Sequence, residues 1–183
     1  MSRVFYGWYV VACAFLIATW GWGLGFYGLG VYLVAQKDAH GWSASAISGA
    51  ITFYYLAAAA LIVVLARAMT RFGARSTVLT GVFAMAVAVV WLGALTQPWQ
   101  LYPCFLVMAI AWAAMSGASV NLLVAPWFER KRGLALSLAF TGASCGGVVV
   151  GPALLGLVRW LGFEAGTRVV AAAMLVVLLP IVV

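Results

Sequence analysis

Six long apolar stretches, at about 8–34, 46–66, 77–95, 101–125, 134–158 and 169–183, fill most of this 183-residue chain, and none of them holds an Asp, Glu, Lys, Arg or His. Crossing a hydrocarbon core of roughly 30 Å takes about 20 predominantly apolar residues in a helix. The stretches are continuous rather than alternating, which excludes the period-two pattern of a membrane β-barrel and predicts helices. The expected fold class is therefore an all-α membrane protein, a six-transmembrane-helix bundle.

Composition agrees. Hydrophobic residues make up 67% of the chain and charged residues 7%, whereas a soluble domain is about half apolar and a quarter charged. Too little polar side chain remains to cover a water-facing surface, so a soluble enzyme is excluded. Disorder and a coiled coil, both of which need many charges, are excluded as well. Cys13, Cys104 and Cys145 all lie in apolar runs, an odd count without metal-type spacing, so they read as small packing residues rather than a disulfide or zinc framework. No metal or other cofactor is called for.

The net charge of +7 would point to nucleic acid in a soluble protein, but here the charges mark topology. With the N-terminus inside, the inner segments hold Arg3, then Arg67, Arg71 and Arg75, then Arg130, Lys131 and Arg132, while the outer segments hold Lys37, Arg159 and Arg168. The excess of basic residues on one side places the N-terminus in the cytoplasm. Nucleic acid is not an expected partner; the lipid bilayer is. Ala12-Cys13-Ala14 formally spells a signal-peptide cleavage site, but the apolar run continues far beyond it, which predicts an uncleaved helix.

Ion and proton sites within a bilayer usually declare themselves by an intramembrane charge, because such charges are costly. Asp38, Glu129, Glu164 and His40 all fall outside the apolar stretches, so no catalytic dyad or nucleophile can be assembled and an enzyme is not expected. Two other features stand out. Gly21, Gly23, Gly25, Gly28 and Gly30 crowd the first stretch, and Gly142, Gly146, Gly147, Gly151 and Gly156 crowd the fifth beside Pro152. Small residues at a spacing of four let helix backbones approach closely, and a helix weakened by Gly and Pro also bends, so tight packing and a sliding hinge are both open. The second feature is aromatic and polar. Thr19, Trp22 and Phe26 share a face of the first helix with Tyr27 adjacent, and Trp112, Met115, Ser116, Ser119 and Asn121 gather in the fourth. Interface anchoring and core filling compete with a ligand-lining role for these residues.

The charged segments add a family resemblance. Ala66-Arg67-Ala68-Met69-Thr70-Arg71-Phe72-Gly73-Ala74-Arg75 resembles the cytoplasmic signature of the major facilitator superfamily. Arg71, Gly73 and Arg75 match, while Ala66 replaces a Gly, Thr70 an Asp and Ala74 a basic residue. The Asp helps latch the two halves of such proteins; Thr70 supplies at most a neutral hydrogen bond. Trp127-Phe128-Glu129-Arg130-Lys131-Arg132-Gly133-Leu134-Ala135, running on to Thr141-Gly142-Ala143-Ser144, and Tyr6-Gly7-Trp8-Tyr9-Val10-Val11 are similar to the fifth-helix entry and first-helix motif of the monocarboxylate transporter branch and its bacterial oxalate and formate exchangers.

The resemblance implies the N-terminal half of a secondary transporter, built from 3+3 inverted repeats and working by alternating access. With spans one and four lining the central cavity, the aromatic and polar residues singled out there, Trp22, Phe26, Tyr27, Trp112, Met115, Ser116, Ser119 and Asn121, are the expected substrate surface. Gating falls to Arg71, Gly73, Arg75, Arg130, Lys131, Arg132, Gly142 and Gly146. The basic residues also anchor to anionic headgroups. A faint echo between 71–75 and 162–168 on opposite faces fits the inversion. The expected substrate is a small organic anion, a monocarboxylate, moved with protons or against a counter-anion. The lysine that couples some animal members has no counterpart near Phe26 and Tyr27, and the anion-binding arginine of the branch belongs to the C-terminal half. The sixth stretch, about 15 residues long, predicts that the chain is a piece of a transporter of about twelve spans, partnered by its missing half or by a second copy. The expected location is the bacterial inner membrane. A drug or amino-acid exporter of the same superfamily and a non-transporting scaffold joined through glycine seams are the alternatives.

Overall fold

A computed structural model describes residues 5–182; Arg3 and the terminal Val183 lie outside the described residues. Six helices long and apolar enough to cross a membrane account for nearly all of them: α1 Gly7–His40, α2 Ala44–Phe72, α3 Ala74–Gly93, α4 Pro98–Trp127, α5 Arg132–Leu161 and α6 Phe163–Val182. No strand occurs among the described residues.

The helices are longer than the apolar stretches alone predict, because charged residues near the boundaries remain helical. α1 runs on to His40 and stops at Gly41, whose φ of 66° turns the chain and whose N–H reaches the Lys37 carbonyl, a left-handed glycine cap. α2 begins after Ser43, whose hydroxyl accepts from the Ala46 N–H at 3.2 Å, an N-cap bond. The basic segment 66–75, read above as a connection, is helical except for Gly73. A single residue at φ 83° and ψ 150° makes the whole reversal between α2 and α3, in a region that only glycine enters cheaply. Gly162, at φ 84° and ψ 166°, repeats that reversal between α5 and α6. α6 therefore starts at Phe163 rather than near 169 and has 20 residues. Arg168, expected in a loop, pairs with Glu164 one turn away on its exposed face.

Contacts at the helix ends give the orientation. The start of α1 meets the end of α4 through Tyr6 and Trp127, whose rings are 5.0 Å apart. The Cys13 thiol near the start of α1 donates to the Ile181 carbonyl near the end of α6, at 3.9 Å. The end of α1 meets the end of α3, where Gln36 Nε2 donates to the Leu92 carbonyl at 2.6 Å. Odd helices thus run one way and even helices the other. α3 packs on α4 and α6, α2 on α4, α1 on α5, and α5 on α6. The main core holds Leu24, Tyr54, Met85, Phe105, Met108 and Met115, and a smaller one joins α1, α4 and α5 through Ala14, Ala18, Val120, Val124 and Ala139.

Lipid tails are as apolar as these side chains, so close contact rather than water exclusion holds the helices together. The α1–α5 seam shows how. Gly142 lies directly on the backbone of Phe15, and Gly146 on Thr19 and Gly23; a methyl on Gly146 would be 2.8 Å from the Gly23 nitrogen. Where the backbones meet, both helices widen into a π-helical turn, Gly23–Tyr27 in α1 and Gly146–Val150 in α5.

Candidate functional site

The three interruptions of the bundle converge on one place. α4 breaks at Ser116, whose ψ of 178° leaves the helical region. A broken helix in lipid must satisfy its freed carbonyls from within. Ser116 Oγ and Ser119 Oγ both donate to the Ala113 carbonyl, at 3.0 and 3.3 Å. The π-turn of α1 is served in the same way by α2: the buried Tyr54 hydroxyl donates to the Gly25 carbonyl at 2.7 Å. Gly25 leaves room for this packing, since a methyl there would be 2.7 Å from the Trp112 ring and would have to displace it.

A shelf of rings lies around these breaks. Trp22 and Trp112 pack at 4.9 Å, Phe26 stacks on Trp112 at 6.3 Å, and Phe26 meets Tyr27 at 5.2 Å and Tyr55 at 6.4 Å. Phe140 of α5 closes the edge, 6.4 Å from Trp22. Phe26 and Tyr27 keep 46% and 44% of their surface exposed, far more than core rings. Tyr27 also lies against Gly147 of the α5 π-turn, where a methyl would come within 2.8 Å of its ring. Trp22 closes the first 16 residues of α1, about 24 Å along the axis, so the shelf sits well inside the bundle. Its surface is aromatic and uncharged, suited to stacking and to hydrogen bonds from tyrosine hydroxyls.

The candidate residues separate into groups. Trp22, Phe26, Tyr27 and Trp112 come together on the shelf. Met115, Ser116 and Ser119 are buried behind it, the serines bonded to their own helix and Met115 against Gly21. Asn121 is exposed, with its amide nitrogen donating to the Gly117 carbonyl at 2.9 Å. Tyr55 and Phe140 complete the shelf but escaped the sequence reading. The Tyr54-Tyr55 pair in the middle of an apolar stretch was an available signal; Phe140 offered none.

Arg71, Arg75, Arg130, Lys131 and Arg132 are all exposed at the end of the bundle where α1 starts, away from the shelf. Arg71 lies over the Phe72 ring at 5.4 Å. Arg75 lines a cavity of about 400 Å³ with Tyr6, Cys13, Pro126 and Trp127. Gly73 makes the α2–α3 reversal at this end, while Gly142 and Gly146 belong to the α1–α5 seam. Among the described residues no group of His, Cys, Asp or Glu could hold a metal ion.

Comparison with known proteins places these features in a family. The family model of the Major Facilitator Superfamily matches residues 10–183. The chain is 31% identical over 158 residues to "Uncharacterized transporter ESBP6" of Saccharomyces cerevisiae, covering 80% of this chain and 22% of the yeast protein. It is 29% identical over 180 residues to "MFS-type transporter 1" of an Ophiocordyceps species, covering 96% of this chain and 39% of that protein. The chain thus spans well under half the length of either relative. No solved structure matches it. With the match running over nearly its full length and through all six spans, this multi-pass membrane chain belongs to the Major Facilitator Superfamily.

Proposed function

We propose that this chain is the N-terminal six-helix half of a secondary active transporter that moves a small organic anion, a monocarboxylate, by alternating access. The observation that carries the reading is the uncharged aromatic shelf of Trp22, Phe26, Tyr27 and Trp112, set where α1, α4 and α5 all leave regular helical geometry. Interrupted helices facing one another deep in the bundle are where transporters of this architecture take their substrate. Asn121 offers an amide one turn beyond the α4 break, and Met115, Ser116 and Ser119 shape that break from behind.

In this reading the basic end is cytoplasmic, by its excess of positive charge. Arg71, Arg75, Arg130, Lys131 and Arg132 close it against a second bundle, either the other half of a longer chain or a second copy, and Gly73 sets the angle of the α2–α3 reversal. The glycine seam at Gly142 and Gly146 lets α5 slide on α1 as the cavity opens. Protons or a counter-anion supply the drive, and the positive group that neutralises the carboxylate comes from the second bundle. The motifs at 6–11 and 127–144 support the monocarboxylate assignment.

Uptake of labelled lactate, pyruvate or oxalate into proteoliposomes holding the full-length transporter tests the proposal. Saturable uptake of at least one supports it, and no uptake of any defeats the monocarboxylate assignment. A second reading, an exporter of drugs or amino acids, draws on the lack of a charged side chain among the shelf rings. Efflux of a lipophilic dye without carboxylate uptake would favour it.

A further inference from the structure

Two tyrosines of the shelf stand at steep angles to Phe26. Tyr27 is at 83° to it with centroids 5.2 Å apart, and Tyr55 of α2 is at 69° and 6.4 Å. Trp112 of α4 is instead close to parallel with Phe26, at 23° and 6.3 Å. The rings are held from behind. Trp112 packs on Trp22 at 4.9 Å and against Gly25, and Tyr27 lies on Gly147 of α5 with no room for a methyl between them. Side chains fixed in this way lose little freedom when a guest arrives, which favours affinity.

Aromatic pairs prefer offset stacking or edge-to-face contact. A flat ring set parallel to Phe26 is also close to parallel with Trp112 and meets Tyr27 and Tyr55 at steep angles, so both favoured arrangements are available to it at once. A saturated ring of the same size is puckered and has no π face, so it gains from buried area alone. The ring faces carry the negative side of the aromatic quadrupole. A carboxylate on the guest therefore points away from them, out of the shelf.

Resting on the reading of the shelf as the substrate path, we propose that the organic anion it takes is an aromatic monocarboxylate, one flat ring bearing a carboxylate. The ring lies along Phe26 and Trp112 beside the two tyrosines, and the carboxylate is left for the positive group of the second bundle. Phe26, parallel to the guest and flanked by both tyrosines, sets the preference for a flat ring.

Competition against uptake of labelled lactate, pyruvate or oxalate, in proteoliposomes holding the full-length transporter and at a pH where every acid is ionised, tests this. Benzoate and cyclohexanecarboxylate share carbon count and charge and differ in the flat ring. The expected result is half-inhibition by benzoate at about fivefold lower concentration than by cyclohexanecarboxylate, the size of one aromatic pairing. Phe26→Leu, which keeps an apolar side chain but removes the ring, brings that ratio close to one. Phe83→Leu, at an exposed ring of α3 outside the shelf, leaves it unchanged. Equal inhibition by the two acids, or a ratio that survives Phe26→Leu, overturns the aromatic assignment while the uptake itself leaves the monocarboxylate reading standing. Stronger inhibition by phenyltrimethylammonium than by benzoate also overturns it, since the rings then serve a cation. If none of the labelled anions is taken up, labelled benzoate included, the monocarboxylate reading falls and this assignment falls with it.

Discussion

Gly142 faces the backbone of Phe15 across the α1–α5 seam, with no room there for an added methyl. Gly142→Ala must push α5 away from α1, and overpacking of this kind costs about 1–3 kcal/mol. Gly156, on the same helix with nothing within 4 Å of an added methyl, is the control, where Gly→Ala is expected to stabilise by about 0.4–1 kcal/mol. Thermal unfolding in detergent should therefore move in opposite directions for the two variants, and equal shifts would show that the seam is not tightly packed. The sequence makes this seam legible at the level of single residues, because spacing of small residues is a local pattern. It points to four of the six shelf rings, Trp22, Phe26 and Tyr27 of α1 and Trp112 of α4, since Trp22 and Phe26 share a helical face and Trp112 lies deep in an apolar stretch. Tyr55 and Phe140 arrive from other helices, and no pattern within one helix reports such a meeting.

At the scale of the element, the informative feature is the break in α4. Its two hydroxyls share one acceptor, the Ala113 carbonyl. Ser116→Ala or Ser119→Ala alone leaves that carbonyl one donor, whereas the double variant leaves a buried acceptor unpaired, which costs about 1–3 kcal/mol. The pair is expected to be non-additive: small losses for each single variant and a larger one for the double, read from unfolding midpoints in one detergent. Additive losses would mean that the two bonds act on separate groups. Apolar run length locates the six helices well, but it places their ends badly. Charged residues were read as loop, yet Arg67, Arg71, Arg75 and Arg168 are helical, because one glycine at positive φ reverses the chain without a loop. The π-turns in α1 and α5 left only their glycine density in the sequence.

The whole bundle has one basic end, which is cytoplasmic in the proposed topology. Single cysteines in place of Lys131 and Lys37, in a chain whose own three cysteines are changed to serine, should differ in labelling by an impermeant maleimide added outside sealed cells: position 37 reacts and position 131 does not. The reverse pattern would invert the topology and the gating assignment with it. The six-helix architecture was legible because lipid permits few ways to satisfy a backbone. Substrate identity was not, because the shelf holds no charge and the chain covers a fraction of its relatives' length. The central claim is that this shelf is the substrate path. The concentration dependence of labelled lactate uptake by the full-length transporter, with and without Trp112→Ala, tests it most directly. The account predicts saturable uptake whose KM rises severalfold in the variant while the amount of protein in the membrane is unchanged; identical kinetics in the two proteins would contradict it.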